Sequence, residues 1–162
     1  MTRVYVSDTN IWIDFRNAGL LEQLFQLPIT LCSTDFVLSE LQDLQHETLI
    51  ANGLVVEGLD ADAMGRLFSL MAAHNNSSLA DVSCYLLAQA TGRPLLTGDG
   101  RLRRQAVTDG LEVFGALWLL DQLVAHAVVS PAEARRGLQA MLAQGARLPG
   151  AECNARMTAW AG

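Results

Sequence analysis

There is no lysine in this chain; all 11 of its basic residues are arginine. Without an ammonium group it cannot form a Schiff base, build the phosphate-binding loop GxxxxGK[ST], or run protein-kinase chemistry. Cysteine is nearly as scarce. Cys32, Cys84 and Cys153 lie far apart with no CxxC pair, which reads as buried reduced thiols rather than a disulfide frame or zinc site. His46, His74 and His126 are equally isolated. Neither a histidine-based triad nor a zinc site is expected from them. No apolar run reaches the roughly 18 residues that span a bilayer. The best candidate, GALWLLDQLVAHAVV, is broken by Asp121, Gln122 and His126 and reads as a buried helix. The opening MTRVYVSD has no long apolar region or small-residue cleavage site. A cytoplasmic location without a membrane partner is therefore expected.

What is present suits one well-packed domain. The 162 residues are 51% hydrophobic, and mean hydropathy is +0.23. That is enough for a sizeable core. The net charge is −6 and the pI near 4.9. So acidic a chain does not hold nucleic acid by a broad electrostatic surface, unless divalent metal neutralises part of the acid.

Short apolar strands alternate with helical patterns. Val4-Tyr5-Val6 is a strand ending at Ser7-Asp8, and a helix is expected around Gly19 to Gln26. Ile29 to Cys32 makes a second strand, after which Thr34 caps a helix carrying Phe36, Val37, Leu38, Leu41 and Leu44. Leu54 to Val56 reads as an edge strand, and Asp60 caps a helix through Met71. Asn75 to Ser78 is a loop, with Ser78 capping a helix from Leu79 that Thr91-Gly92 stops. Pro94 to Leu96 is a strand, Leu102 to Thr108 a helix, and Leu111 to Phe114 a strand. Two helices follow, the second opened by the capping box Ser130-Pro131-Ala132-Glu133. Such an order implies an α/β fold, a three-layer α/β/α sandwich around a mostly parallel sheet. Residues 1–144 form one domain with extra C-terminal helices, and 145–162 an irregular tail that Trp160 can dock.

Four acids occupy related places in this order. In an open parallel sheet, ligands bind beyond the carboxyl ends of the strands. Asp8 follows the first strand and Asp99 follows another, after Thr97-Gly98. Glu40 sits in the apolar helix FVLSEL, where partly buried surroundings are expected, and Asp81 in the first turn of its helix. Each acid also has a local use. Asp99 can cap the next helix, Asp8 can form a turn with Asn10, Asp81 can complete a capping box with Ser78, and Glu40 can be solvated. Taken together they are expensive. Two carboxylates about 4 Å apart repel by roughly 4 kcal/mol at an effective dielectric near 20. Oxygen-only ligation, with no lysine to compensate, favours Mg2+ or Mn2+.

VYVSDTNIWID, FVLSELQD and SLADVSCYLLAQATGRPLLTGD, in this strand-helix order, resemble the PIN-domain ribonucleases, including the toxins of bacterial toxin–antitoxin pairs. The resemblance runs from about Val4 to Phe114. It implies a PIN-like fold and a metal-dependent endoribonuclease in which Asp8, Glu40, Asp81 and Asp99 are the catalytic, metal-binding acids. Asn10 and Thr97 would be polar supports. It also implies an RNA substrate, a homodimer and, for a toxin, an antitoxin partner. Two departures stand out. Many members carry TxDxDF, where this chain has Arg101 and Leu102 after Asp99, and the helical segment after Gly115 is longer than in compact toxins.

Arg101, Arg103 and Arg104 suit phosphate gripping, or merely a solvated helix start. Trp12 and Phe15 suit the core better than base stacking. Phosphoryl transfer through aspartyl phosphate needs DxDx[TV] and a lysine, but Asn10 holds the second place and lysine is absent. The alternative outside enzymology is a silent PIN-like interaction module, with Leu117, Trp118, Leu119 and Leu120 as its surface.

Overall fold

β-Branched and aromatic residues in Val4-Tyr5-Val6 start the first of five short strands, and helices separate each from the next. The computed structural model describes residues 3–42, 44–73 and 78–161. In chain order the elements are β1 (Arg3–Ser7), α1 (Thr9–Ala18), α2 (Leu21–Leu24), β2 (Ile29–Thr34), α3 (Asp35–Glu40), α4 (His46–Asn52) and β3 (Val55–Glu57). They continue with α5 (Ala61–Ala73), α6 (Leu79–Thr91), β4 (Leu95–Leu96), α7 (Gly100–Thr108), β5 (Val113–Phe114), α8 (Ala116–Ala125), α9 (Pro131–Ala143) and α10 (Gly150–Ala159). The strands form one sheet in the order β3-β2-β1-β4-β5, and every pairing is parallel. From β1 the chain builds outward to one edge and then to the other. The strand order therefore reverses between β1 and β4, the place where open α/β sheets bind ligands.

Side-chain alternation along β2 assigns the layers. Ser33 Oγ accepts from the Trp12 indole of α1 at 2.9 Å, while Thr34 Oγ1 lies 2.6 Å from Ser83 Oγ of α6. Neighbouring residues of one strand thus reach helices on opposite faces of the sheet. On the α6 face every residue from Ala80 to Ala88 is buried. On the other, Trp118 of α8 stacks on Phe114 and meets Tyr5, with ring centroids 4.3 and 5.3 Å apart. Leu117, Leu119 and Leu120 are buried as well, so α8 is the buried helix expected of this apolar run, and those leucines do not form the surface an interaction module would use. Trp12 and Phe15 are fully buried and belong to that core.

Three helical expectations need correction. The helix expected around 19–26 is present only as the short α2, and the longer α1 before it is unanticipated. Asp8 caps α1, Ile11, Trp12 and Phe15 give it a buried face, and Gly19 ends it at φ 70 with its N–H on the Arg16 and Phe15 carbonyls. The helix expected to run through Leu44 ends at Glu40, where Leu41 leaves helical geometry at ψ 64 and its carbonyl lies 2.8 Å from His46 Nε2. The apolar spacing continues past that break into an unanticipated α4. Most of the tail expected over 145–162 is helical, as α10. Its apolar pattern is weak because few side chains face the core, chiefly Cys153 and Trp160, and polar anchors do the rest. Arg156 holds both Asp121 oxygens at 2.8 and 2.6 Å, and Arg135 Nε donates to the Met157 carbonyl at 3.1 Å. The loop expected at 75–78 lies outside the described residues except for Ser78, which caps α6 through the Asp81 amide.

No described helix is long and apolar enough to cross a membrane.

Candidate active site

The register of β1 and β4 brings Asp8 to Thr97. Ser7 pairs with Leu96, and the Asp8 amide donates to the Leu96 carbonyl at 3.0 Å. Asp8 is fully buried and its carboxylate accepts three hydrogen bonds. Ile11 N–H reaches Oδ1 at 3.0 Å, and the Thr97 hydroxyl and Gly98 N–H reach Oδ2 at 2.7 and 2.9 Å. Burial pushes its pKa up, the three hydrogen bonds pull it down, and the charge of Asp99 adds to the rise. Burial prevails. Thr97 links two acids, since its hydroxyl also accepts from the Asp99 amide at 3.0 Å. Asp99 caps α7, its Oδ1 accepting from the Arg101 and Leu102 amides at 2.9 and 3.2 Å. The capping use foreseen for Asp99 is real, and it is made through Oδ1.

Asp81 opens α6 against the same rim. Only 7% exposed, it holds an Oδ1 with no hydrogen-bond partner among the described residues. Its pKa rises from 3.8 to about 7, first through burial and then through the charges of Asp8, Asp99 and Glu40, with the Ser78 hydroxyl opposing. Asp81 therefore feels three acids that lie far from it in sequence. Glu40, at the end of α3, is exposed rather than partly buried, because the helix stops there. A long 3.5 Å hydrogen bond from Thr9 Oγ1 tethers its Oε1.

The supporting residues divide. Thr97 is buried and bonded as described; Asn10 is exposed, its Cβ 3.4 Å from where a side chain on Gly98 would begin. Arg101, Arg103 and Arg104 are exposed on α7. Arg103 leans back over the sheet edge, with Nη1 3.3 Å and the Thr97 carbonyl 3.6 Å from the point where a Gly115 Cβ would stand. Arg104 lies instead toward Gly100.

One acid escaped the sequence reading. Asp14 is half-buried, and its pKa climbs to about 6 through burial and then the charge of Asp8. The available signal was an acid inside the apolar helix NIWIDF, one turn beyond Asn10 on the same face. A buried polar layer supports Asp8 from below. Ser33 Oγ donates to the Ser7 carbonyl at 2.7 Å, and the Cys84 thiol to the same carbonyl at 3.4 Å. Two surface cavities, one bordered by Leu44 and Leu49 and one by Glu57 and Leu87, include none of the four acids. Among the described residues, no group of three His, Cys, Asp or Glu side chains is assembled tightly enough to hold a metal ion as it stands.

A sequence model of the PIN-domain family matches residues 4–161. The chain belongs to the PIN-domain family. The match takes in α9 and α10, so those helices lie within the family's extent. Among solved structures, this PIN domain is similar to a PilT N-terminus domain protein of the hyperthermophilic archaeon Sulfolobus solfataricus P2. The TM-score is 0.52 at 12% identity, over 78% of this chain and 94% of that one, a likeness of fold alone. No curated protein matches the chain in sequence. PIN domains are a nuclease-type fold and generally use divalent metal ions.

Proposed function

We propose that this PIN domain is an endoribonuclease dependent on Mg2+ or Mn2+, with Asp8, Glu40, Asp81 and Asp99 as the acids that hold the cation. The observation that carries the reading is Asp81, a buried acid with an orphaned oxygen and three other acids for electrostatic neighbours. Such an arrangement is unfavourable in isolation and favourable around a hard cation. The looseness of the cluster also suits magnesium, which keeps several waters and takes only one or two carboxylates directly. When bound, such an ion supplies Lewis acidity toward water and phosphate oxygens. The chain's own residues do the rest. Thr97 and the Gly98 and Ile11 amides hold the Asp8 carboxylate in one orientation, and Asn10 packs against the turn that carries Asp99. Arg101, Arg103 and Arg104 grip strand phosphates, and Arg103 is best placed because it leans toward the strand ends. A homodimer under the control of an antitoxin is the finer form of the same proposal.

Cleavage of a labelled single-stranded RNA pool tests it, with Mg2+ or Mn2+, with chelator, and with Asp99→Asn alongside. Asparagine caps a helix as well as aspartate does, so this variant removes charge while keeping α7. Metal-dependent cutting that Asp99→Asn loses with an unchanged melt supports the proposal. No cutting and no metal-induced melt shift defeat it.

A further inference from the structure

Beneath the acids, a chain of hydroxyls joins α3 to α6. The Val37 amide donates to Thr34 Oγ1 at 3.3 Å, Thr34 Oγ1 lies 2.6 Å from Ser83 Oγ, and Ser83 Oγ donates to the Ala80 carbonyl at 2.6 Å. A hydroxyl has one proton. With the Ser83 proton on Ala80, Thr34 must donate to Ser83, so the chain runs in one direction from the Val37 amide to Ala80. Both side chains are 0% exposed, and no bulk water can replace a lost partner. At one end Thr34 caps α3, whose last residue is Glu40. At the other end the accepting carbonyl immediately precedes Asp81. Two acids 41 residues apart in sequence are thus referred to one pair of oxygens.

We infer that the Thr34–Ser83 hydroxyl pair is a positioning device that sets the spacing of Glu40 and Asp81, and through it the site's hold on a divalent cation. The inference rests on the nuclease reading for the role of those acids, but neither hydroxyl is itself one of the proposed ligands. Groups hydrogen-bonded directly to a metal ligand change metal affinity or activity by about 10- to 100-fold when removed. This pair acts one step further out, through the backbone of α3 and α6, which puts its effect at the lower end.

Ser83→Ala is the informative variant, because it breaks the pair while Thr34 still caps α3. Thr34→Ser keeps every hydrogen bond and serves as the conservative control. Thr34→Val, of nearly the same shape, is the second probe should Ser83→Ala not fold. Two readouts are needed: the Mn2+ concentration giving half of the full melting shift, and kcat and KM on single-stranded RNA. Ser83→Ala, or Thr34→Val in its place, is expected to raise the Mn2+ midpoint about tenfold and to lower kcat about tenfold. KM for RNA stays within about twofold, and Thr34→Ser stays near the parent in both readouts. A lower melt with an unchanged Mn2+ midpoint and unchanged kcat would reduce the pair to ordinary fold support and overturn the inference. So would equal damage from Thr34→Ser. A parent that binds Mn2+ but cuts nothing defeats the nuclease reading alone, and its midpoints still decide the role of the pair. A parent that binds no Mn2+ overturns both.

Discussion

Two sets of acids divide this molecule. Glu57, Glu112 and Asp121 each face an arginine, respectively Arg93, Arg3 and Arg156, on or near the surface. Around Asp81, by contrast, the charges that matter are Asp8, Asp99 and Glu40, all of one sign. The first set follows the ordinary rule that a charge leaving water takes a partner with it. Asp81 does not, its Oδ1 having no hydrogen-bond partner among the described residues. A fold tolerates such an arrangement when the missing partner arrives from outside, and strongly shifted acids at a strand-end rim are a mark of function. Asp14, raised to about 6 beside Asp8, belongs to the second set by the same criterion.

The sharpest way to break the contrast is to remove one acid from each set. Asp81→Asn is expected to cost at least about a thousandfold in kcat/KM on RNA, comparable to about 4 kcal/mol of transition-state stabilisation. Without metal at pH 8 the same variant should melt no lower than the parent, because it deletes a charge set among the like charges of Asp8, Asp99 and Glu40. Cleavage assays and melts on one preparation decide it. A melt several degrees lower would make Asp81 a structural acid and dissolve the distinction.

The next effect is in pH. The folded-state pKa of Asp81, about 7, lies above its usual 3.8, so the folded chain holds this proton more tightly than the unfolded one does. The stability it contributes is fully present below about pH 4 and is lost as pH rises through about 7. Asp14, raised to about 6, works in the same direction. With metal absent, unfolding free energy should therefore fall by about 2 kcal/mol between pH 5 and pH 8, shared among coupled acids. Metal affinity should run the other way and strengthen over that range, because ligation needs the deprotonated acids. Urea melts with and without Mn2+ at four pH values measure both slopes. A metal-free protein that gains stability toward pH 8 would put these acids in the first set.

Much of the second set was legible in the sequence because strand ends are legible. VYV and PLL are short apolar runs that stop abruptly, and the residues just beyond them, Asp8 and Asp99, had to meet at one sheet edge once the strands were parallel. Ser78, Thr34 and the capping box at Ser130 were legible for a similar reason, since a cap needs only its own helix. What escaped depends on partners far along the chain. The exposure of Glu40 follows from a helix that breaks at Leu41 although its apolar spacing continues. The Thr34–Ser83 bond joins residues 49 apart, and neither has a pattern that names the other. α10 is anchored by Arg156 to Asp121 across 35 residues, which periodicity cannot see.

That last ion pair gives the smallest expected effect and the cleanest control. Asp121→Asn removes the charge opposite Arg156 while keeping the shape of the side chain. Arg156 retains its hydrogen bond to the Glu152 carbonyl at 3.1 Å, so the arginine is not stranded. The pair is partly exposed, with side-chain exposures of 22% for Arg156 and 39% for Asp121, and solvent screens such pairs to about 0.5–1 kcal/mol. A urea melt should show a loss of that size at neutral pH, shrinking in high salt, while cleavage and the Mn2+ midpoint stay within about twofold of the parent. If Asp121→Asn instead shifts the Mn2+ midpoint, α10 is coupled to the acid rim through α8, α9 and α1. The two sets of acids would then answer to one packing arrangement rather than two.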